Sequence, residues 1–299
     1  MSTRGAVADL ESRGGRLALW FLAPTAAVLL LVVAYPFLYN VGMSFTNWNM
    51  FHFRDPAFNG LANYAKLLRE PEFLSVLLRT FLWTGVNLVF HVTLGVGAAL
   101  LLNRRLPGRP LYRALLILPW AMPQYISALT WRGMFNLEYG SVNLLLGKLG
   151  LGAVGWLSGE WSAFAAATIT NIWLGFPFIM VVALGGLQSI PEELYEAARI
   201  DGAGAWRRFT AITLPMLRPV LTPAIVLGTI WTFNNLNVIW LVTKQGEPGD
   251  KSHILVTYVY KAAFTYYRYG YAAAFSVFIF LTLFGIVKIY QRTADREAF

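Results

Sequence analysis

Six long stretches without any Asp, Glu, Lys or Arg dominate the pattern of hydrophobic and polar positions along this chain. Each is at least as long as the roughly 18 residues that a helix needs to cross about 30 Å of hydrocarbon. The pattern therefore predicts an all-α integral membrane protein with six transmembrane helices. The stretches are 17–53, 80–103, 114–131, 161–191, 219–243 and 269–287.

The start of the chain also has features of a secretory signal, because Arg13 and Arg16 precede an apolar run that begins at Leu17. That run continues to about Tyr39, which is longer than the apolar region of a signal peptide. We therefore expect a retained first span.

The distribution of basic residues predicts the orientation. Six spans place both termini on one side, and the short loop 103–113 is rich in arginine, as cytoplasmic loops are. We expect cytoplasmic tails over 1–16 and 292–299, and a transmembrane domain over 17–291 whose cytoplasmic loop is 190–218.

Two further segments carry local predictions. In the third stretch, Pro119, Pro123 and Gln124 interrupt an otherwise regular helix, which favours a kink over a cavity wall. The segment from Asn47 to Glu72 is expected to be an ordered external loop with a short helix.

Composition agrees with a membrane protein. The chain is 57% hydrophobic and 13% charged, whereas a soluble domain has about 25% charged residues. A net charge of +9 fits basic cytoplasmic loops better than nucleic-acid binding in so apolar a chain. There are no cysteines, and His52, His91 and His253 have no partners at metal-ligand spacing, so we expect no metal site.

The loop between the fourth and fifth stretches predicts a short helix of its own. Pro191 suits the first helical position, and Glu192 and Glu193 suit the positive end of the helix dipole. Gly202 is typical of the residue that follows a helix C-terminus.

One face of this short helix is small and apolar. Leu194, Ala197 and Ala198 share it at i, i+3 and i+4 spacing. Such a face suits a groove on a partner protein. The residues alone leave a second interpretation open, in which this helix and the stretch around Trp206 and Phe209 form an amphipathic connector on the membrane surface.

The spacing of the loop resembles a family signature. The residues are Glu196-Ala197-Ala198, three residues, Gly202, nine residues, Ile212, one residue and Leu214-Pro215. This is similar to the signature loop of binding-protein-dependent ABC importer permeases, and over about 17–290 the chain looks most like the first permease subunit of maltose-type importers. The resemblance implies the six-helix type I permease fold in the inner membrane.

The resemblance also implies roles and partners. Glu196 and Asp201 would be polar contacts with a cytoplasmic ATPase, Ala197 and Ala198 the packing face, and Gly202 a hinge. The partners implied are a second permease subunit, two ATPase subunits and an extracytoplasmic solute-binding protein. The sequence has no Gly-x-x-x-x-Gly-Lys-Ser/Thr motif, so ATP and Mg²⁺ are expected on the ATPase, with no cofactor in this chain.

Polar residues in the fourth and fifth stretches predict the substrate path. Asn171, Gly175 and Phe178 share one helix face, at i, i+4 and i+7, beside Pro177. Amide groups hydrogen-bond the hydroxyls of a sugar, and aromatic rings cover its apolar face. These residue types therefore suit a carbohydrate.

The fifth stretch carries a second polar stripe. Trp231, Asn234, Asn235 and Val238 are expected on one helix face, with Asn237 turned partly away. Intramembrane amides can instead simply hold helices together, and for Asn235 and Asn237 both interpretations stay open.

For the other residues the resemblance favours substrate contact. It implies that Asn171, Gly175, Phe178, Trp231 and Asn234 line the sugar site. Trp231 departs from the amide, and Phe178 from the tyrosine, found in well-known members. The substrate expected is a maltose- or trehalose-like oligosaccharide, with glycerol-3-phosphate or another polyol as the alternative, since no cation lies in the spans.

Two other function classes are disfavoured. A secondary transporter usually needs intramembrane ionisable residues, and the six stretches have no carboxylate. An intramembrane enzyme needs a catalytic constellation, and His91 has no acidic partner at depth.

Overall fold

The computed structural model describes residues 20–297, with side chains up to 292, and within that range the protein is helical. The predicted tail 1–16 and the start of the first span at Leu17 lie outside the described residues. The helices are α1 (Trp20–Ser44), α2 (Ala62–Arg69), α3 (Phe73–Leu102), α4 (Arg109–Ala121), α5 (Gln124–Met134), α6 (Ser141–Lys148), α7 (Glu160–Ser189), α8 (Glu192–Ile200), α9 (Ala205–Phe233), α10 (Leu236–Val242), α11 (Leu255–Phe264) and α12 (Tyr269–Glu297).

Among the described residues, five helices are long and apolar enough to cross a membrane: α1, α3, α7, α9 and the Tyr269–Arg292 part of α12. The third predicted span, 114–131, is not one helix. α4 ends at Ala121 and α5 begins at Gln124, with Met122 and Pro123 extended between them. The residue before a proline is biased away from helical geometry. The helix is therefore broken at this point, where the sequence predicted only a kink.

The fifth predicted span, 219–243, also differs from the structure. α9 begins earlier and ends at Phe233, and α10 follows after Asn234 and Asn235. The Asn235 side-chain oxygen accepts a hydrogen bond from the Val238 backbone N–H (3.1 Å) and so caps α10. The prediction of a continuous stripe from Trp231 to Val238 is therefore wrong, and Val238 is fully buried.

The chain forms two compact units. Among the described residues, the first comprises 20–69 together with Ala262–Phe278, and the second comprises Glu70–Lys261 together with 279–297. In the first unit, α2 is the short helix expected in the segment from Asn47 to Glu72.

The core of the second unit forms where α7 packs along α3 and α9. Gly95 allows a close approach, because a Cβ there would lie 2.8 Å from the Cβ of Ile179. Small residues permit such close helix packing in membranes. α7 is continuous from Glu160 to Ser189 and passes through Pro177.

Candidate functional site

A cavity of about 540 Å³ lies in the second unit, beside the break that separates α9 from α10. Its wall includes the five residues that the resemblance assigned to the sugar site, and also Asn235, for which substrate contact and helix packing were both left open. They are Asn171, Gly175, Phe178, Trp231, Asn234 and Asn235. The wall also includes His91, Trp120, Gln124 and Asn237, which the sequence did not assign to the site.

A chain of three amides holds one side of this cavity. Asn235 Nδ2 donates to Asn171 Oδ1 (2.8 Å), and Asn171 Nδ2 donates to Asn87 Oδ1 (2.8 Å). Asn87 Nδ2 in turn donates to the Trp83 carbonyl (2.8 Å). Asn87 and Asn171 are buried. The chain therefore joins α3, α7 and the α9–α10 break, and Asn235 both braces helices and lines the cavity.

Other amides on the wall are more accessible. Asn234 is exposed, and its Nδ2 donates to the Ile230 carbonyl inside α9 (3.1 Å). Asn237 is also exposed, and its Nδ2 donates to Gln124 Oε1 (3.0 Å). Asn237 was expected to turn partly away from the stripe, but the helix break brings it to the wall. Gln124 begins α5 and lines the cavity, so the broken third span does contribute to a cavity wall.

Three aromatic rings form a row on the wall. The Phe178 and Trp231 ring centroids are 5.1 Å apart, and those of Trp120 and Phe178 are 6.1 Å apart. Trp120 is 51% and Trp231 is 53% exposed. Binding pockets typically combine such rings with a few polar groups that fix the orientation of the ligand. Trp120 could have been suspected from its place in the Pro-rich third span.

Gly175 makes room for His91. A Cβ at Gly175 would lie 2.3 Å from the His91 ring, and His91 Nε2 is within hydrogen-bond distance of the Asn171 carbonyl (3.0 Å). His91 is thus a hydrogen-bonded packing residue, and its ring is also part of the wall. Gly175 is required here for the contact between α3 and α7.

No Asp, Glu, Lys or Arg is among the residues that line this cavity. Its polar groups are amides, a threonine hydroxyl and the His91 ring, which suit neutral hydroxyl groups. A site for an anion would be expected to present a cation.

The predicted loop helix is α8, and its end has a defined geometry. Pro191 is the N-cap, one residue outside the helix. Gly202 is left-handed (φ +75°), its N–H donates to the Arg199 carbonyl (3.0 Å), and the Ala203 N–H donates to the Ala198 carbonyl (2.8 Å). This is a Schellman motif, so the predicted glycine exit is confirmed.

The predicted packing face of α8 is largely accessible. Glu196, Ala197 and Asp201 are exposed and Ala198 is half-buried, while Leu194 is 43% exposed. The described part of the chain therefore leaves this face open to a partner.

Contacts not foreseen from the sequence hold α8 against the start of α9. The Tyr195 and Thr213 hydroxyls lie 2.9 Å apart, and Arg208 Nη1 donates to the Ala203 carbonyl (2.8 Å). These contacts hold α8, whose accessible face bears Leu194, in a fixed position.

A polar cluster surrounds His253, in the loop before α11. The His253 ring is buried, its Nδ1 lies 3.0 Å from Thr257 Oγ1, and its Nε2 lies 3.5 Å from Asp250 Oδ1. Burial lowers the pKa of His253 to about 4, and the charge of Lys261 acts in the same direction. Burial alone would raise the pKa of Asp250, but its hydrogen bond with Lys261 and the Lys261 charge hold it below the usual value. No group of residues fit to hold a metal ion occurs in the described part of the chain.

Comparisons with known proteins place these features in one family. The family model described as binding-protein-dependent transport system inner membrane component matches residues 91–297. The trehalose/maltose transport system permease protein MalF of Thermococcus litoralis is 37% identical, over 95% of this chain and 95% of its own. The inner membrane ABC transporter permease protein YcjO of Escherichia coli is 35% identical, over 93% and 94%.

The fold is shared with a solved structure. A chain from the crystal structure of a bacterial ABC transporter involved in the import of the acidic polysaccharide alginate superposes with a TM-score of 0.78 at 23% identity. The match covers 96% of this chain and 97% of that chain. This protein therefore has the all-helical membrane fold of that transporter chain.

Proposed function

Because this chain belongs to the inner membrane components of binding-protein-dependent transport systems, the permeases of ABC transporters, we propose that it forms half of the path for a neutral sugar. The chain is a transport subunit and not an enzyme, and ATP is bound by the ATPase partner. The sugar proposed is a maltose- or trehalose-like oligosaccharide.

The observation that carries the proposal is the uncharged cavity of about 540 Å³, with accessible amides at Asn234 and Asn237 and a row of aromatic rings. Amides bind hydroxyl groups, and rings such as Trp231 cover the apolar face of a sugar. Glycerol-3-phosphate, the alternative considered from the sequence, would meet no cation on this wall. The name of the Thermococcus litoralis relative supports an α-glucoside.

The proposed topology has six membrane passes. Five are the long helices, and the third is built from α4 and α5 on the two sides of the Met122–Pro123 break. This topology places both termini and α8 in the cytoplasm. The arginine-rich loop 103–113 supports it.

The proposed complex contains this chain, a second permease subunit, two ATPase subunits and an extracytoplasmic solute-binding protein. We propose that α8 enters a cleft on one ATPase, with Ala197 and Ala198 packed inside and Glu196 and Asp201 at the rim. Gly202 lets the chain leave the cleft. The exposed face and the capped end of α8 support this assignment.

The experiment that tests the site compares Asn234→Ala with Asn103→Ala in the assembled transporter. The Asn234 side chain bonds to the Ile230 carbonyl of the adjoining α9, so its loss should leave the fold intact. One lost hydrogen bond of about 0.5–1.5 kcal/mol predicts roughly two- to tenfold slower uptake of labelled maltose or trehalose.

Asn103 is an exposed amide outside the cavity, so its variant should transport normally. ATP hydrolysis by both assembled variants should persist. Normal uptake by Asn234→Ala at limiting sugar would contradict the proposed site.

A further inference from the structure

A second cavity, of about 520 Å³, lies in the first unit, and the proposed transport function does not use it. It is lined by the segment after α1, by α2 and by the segment that leads into α12. Its polar side chains are Asn47, Asn49, Asn59, Asn63, Lys66 and Arg268, among others.

The walls of this cavity are held by specific hydrogen bonds. The Asn47 N–H donates to the Ala57 carbonyl (3.0 Å), and Asn63 Nδ2 donates to the Thr46 carbonyl (2.8 Å). A backbone bridge between Thr46 and Phe58 closes the same loop. The loop after α1 therefore forms a fixed wall.

The segment before α12 is joined to the same loop. The Gly270 N–H donates to the Trp48 carbonyl (2.9 Å), and the Met50 N–H donates to the Tyr267 carbonyl (3.1 Å). A Cβ at Gly270 would lie 2.2 Å from the Thr46 carbonyl oxygen, so only glycine permits this approach. The cavity is thus built by the fold before any molecule enters it.

Two cations line the cavity, and no carboxylate does. Lys66 Nζ lies over the Tyr271 ring, 5.7 Å from its centroid, and the Arg268 guanidinium lies 5.7 Å from the centroid of the Tyr266 ring. Neither cation forms an ion pair with the part of the chain that the structure describes. The cavity therefore favours an anion.

Two buried polar atoms on the wall have no hydrogen-bond partner among the described residues. They are the Trp48 Nε1 donor and the Asn59 Oδ1 acceptor. Buried polar atoms are nearly always satisfied by protein, water or a ligand. Neither atom is accessible from the cavity as the side chains stand. A hydroxyl group both donates and accepts, so it would satisfy both atoms once Trp48 and Asn59 turn toward it.

We propose that this cavity binds a phosphate group that carries hydroxyls, as in a glycerophosphate. Lys66 and Arg268 would meet the phosphate, and the Trp48 and Asn59 side chains would turn to meet hydroxyl groups. The cavity lies where α1 ends and α12 begins, at the ends of two candidate membrane spans. Aromatic and basic residues at span ends lie at the level of lipid headgroups. The ligand is therefore either the headgroup of an anionic phospholipid or a soluble glycerophosphate.

The test uses the complete transporter in nanodiscs. One set contains phosphatidylglycerol in phosphatidylcholine, and the other contains phosphatidylcholine alone with added glycerol 3-phosphate. Bound phosphatidylglycerol is counted by native mass spectrometry, and soluble binding by calorimetry. The variants are Lys66→Gln and Arg268→Gln, and the matched control is Arg69→Gln, an exposed cation of α2 outside the cavity.

If the wild type retains phosphatidylglycerol in the first set, the ligand is a lipid headgroup. If it binds glycerol 3-phosphate in the second set, the ligand is a soluble glycerophosphate. Each cavity variant should bind about fivefold more weakly, from about 1 kcal/mol for one lost charge pair, while Arg69→Gln binds normally. Trp48→Phe should also weaken binding, because it removes the indole donor. No binding in either set, or an equal loss in Arg69→Gln, would overturn the proposal. Sugar uptake is measured separately, so the transport proposal stands or falls independently.

Discussion

Glycine at residue 175 shows how a single position sets the distance between two helices. The predicted role of Gly175 was contact with substrate, and the structure adds that its Cα faces the His91 ring. Sequence spacing placed Gly175 on the right face of α7, but it gave no means of knowing which side chain of α3 would lie opposite.

We expect Gly175→Ala to destabilise the protein by about 1–3 kcal/mol, the usual cost of overpacking a core. The new Cβ would lie 2.3 Å from His91, so either the ring or a helix must move. Thermal unfolding of the purified protein measures the effect.

Gly185→Ala is the control on the same helix, because nothing lies within 4 Å of a Cβ there. It should be neutral or slightly stabilising. Part of the stability lost in Gly175→Ala should be recovered in the double variant His91→Ala, Gly175→Ala. If Gly175→Ala lowers stability equally with and without the His91 ring, the ring is not the cause.

Lys244 and Gln245 adopt left-handed backbone geometry, with φ of 54° and 70°, just before Gly246 at 96°. Glycine adopts this geometry without steric cost. Each residue with a Cβ in the left-handed region lowers the stability of the fold by roughly 1–2 kcal/mol.

We therefore expect Gln245→Gly to stabilise the protein by about 0.5–1 kcal/mol, since part of the relief is offset by backbone entropy. Gln245→Ala keeps the Cβ and should give no such gain. Measured unfolding temperatures of the two variants test this, and equal values would contradict the strain argument.

At the scale of elements, the sequence predicted α8 well and the helix breaks poorly. The ends of α8 are set by local signals, namely Pro191, the acidic first turn and Gly202. Their effect can therefore be predicted from the sequence. The break at Asn234 and Asn235 depends on a capping side chain that also reaches Asn171 in another helix. Periodicity alone treats such a stretch as continuous, which is why the position of Asn237 was mistaken.

We expect Gly202→Val to insert and fold but to lose much of its transport activity. A β-branched residue at φ +75° is strained by roughly 1–2 kcal/mol, which favours opening of the Schellman motif at the end of α8. Copurification of the ATPase and sugar uptake are the measurements.

Gly204→Ala is the matched control, because Gly204 has φ −65°, which alanine adopts freely. The control should retain ATPase binding and uptake. Wild-type uptake by Gly202→Val would mean that the geometry of this exit does not matter for coupling.

At the scale of the whole molecule, the class of the protein is the most predictable property. Charge-free stretches and the loop signature together lead to a membrane permease, and the family match agrees. The five predicted contacts and Asn235 also line one cavity, because helical spacing holds on each side of a break. What could not be predicted are contacts between distant segments, such as the hydrogen bonds that join Asn235, Asn171 and Asn87.

The buried His253 predicts how the stability of the protein depends on pH. Above pH 6.5 the imidazole is neutral in both the folded and the unfolded chain. Between pH 6.5 and about 4, the unfolded chain binds a proton that the folded chain excludes. Stability should therefore fall as pH falls through this window, by about 3 kcal/mol in total.

Unfolding temperatures measured from pH 7.5 to 4 test this expectation. His253→Gln should flatten the dependence, and His52→Gln, which changes an exposed histidine, should leave it as in the wild type. If the unfolding temperature of His253→Gln depends on pH as that of the wild type does, groups other than His253 cause the acid sensitivity.

α9 runs from Ala205, beside the end of α8, through a π-helical turn at Phe209–Thr213 to Phe233, at the edge of the cavity. A helix of 29 residues is about 43 Å long. As a lever of that length, α9 converts a tilt of about 5° into a displacement of roughly 4 Å at its far end, from the same helical geometry. That distance is comparable to the width of a sugar ring, so under the proposed function a small rotation at the end of α9 beside α8 would suffice to open or close the wall that bears Trp231.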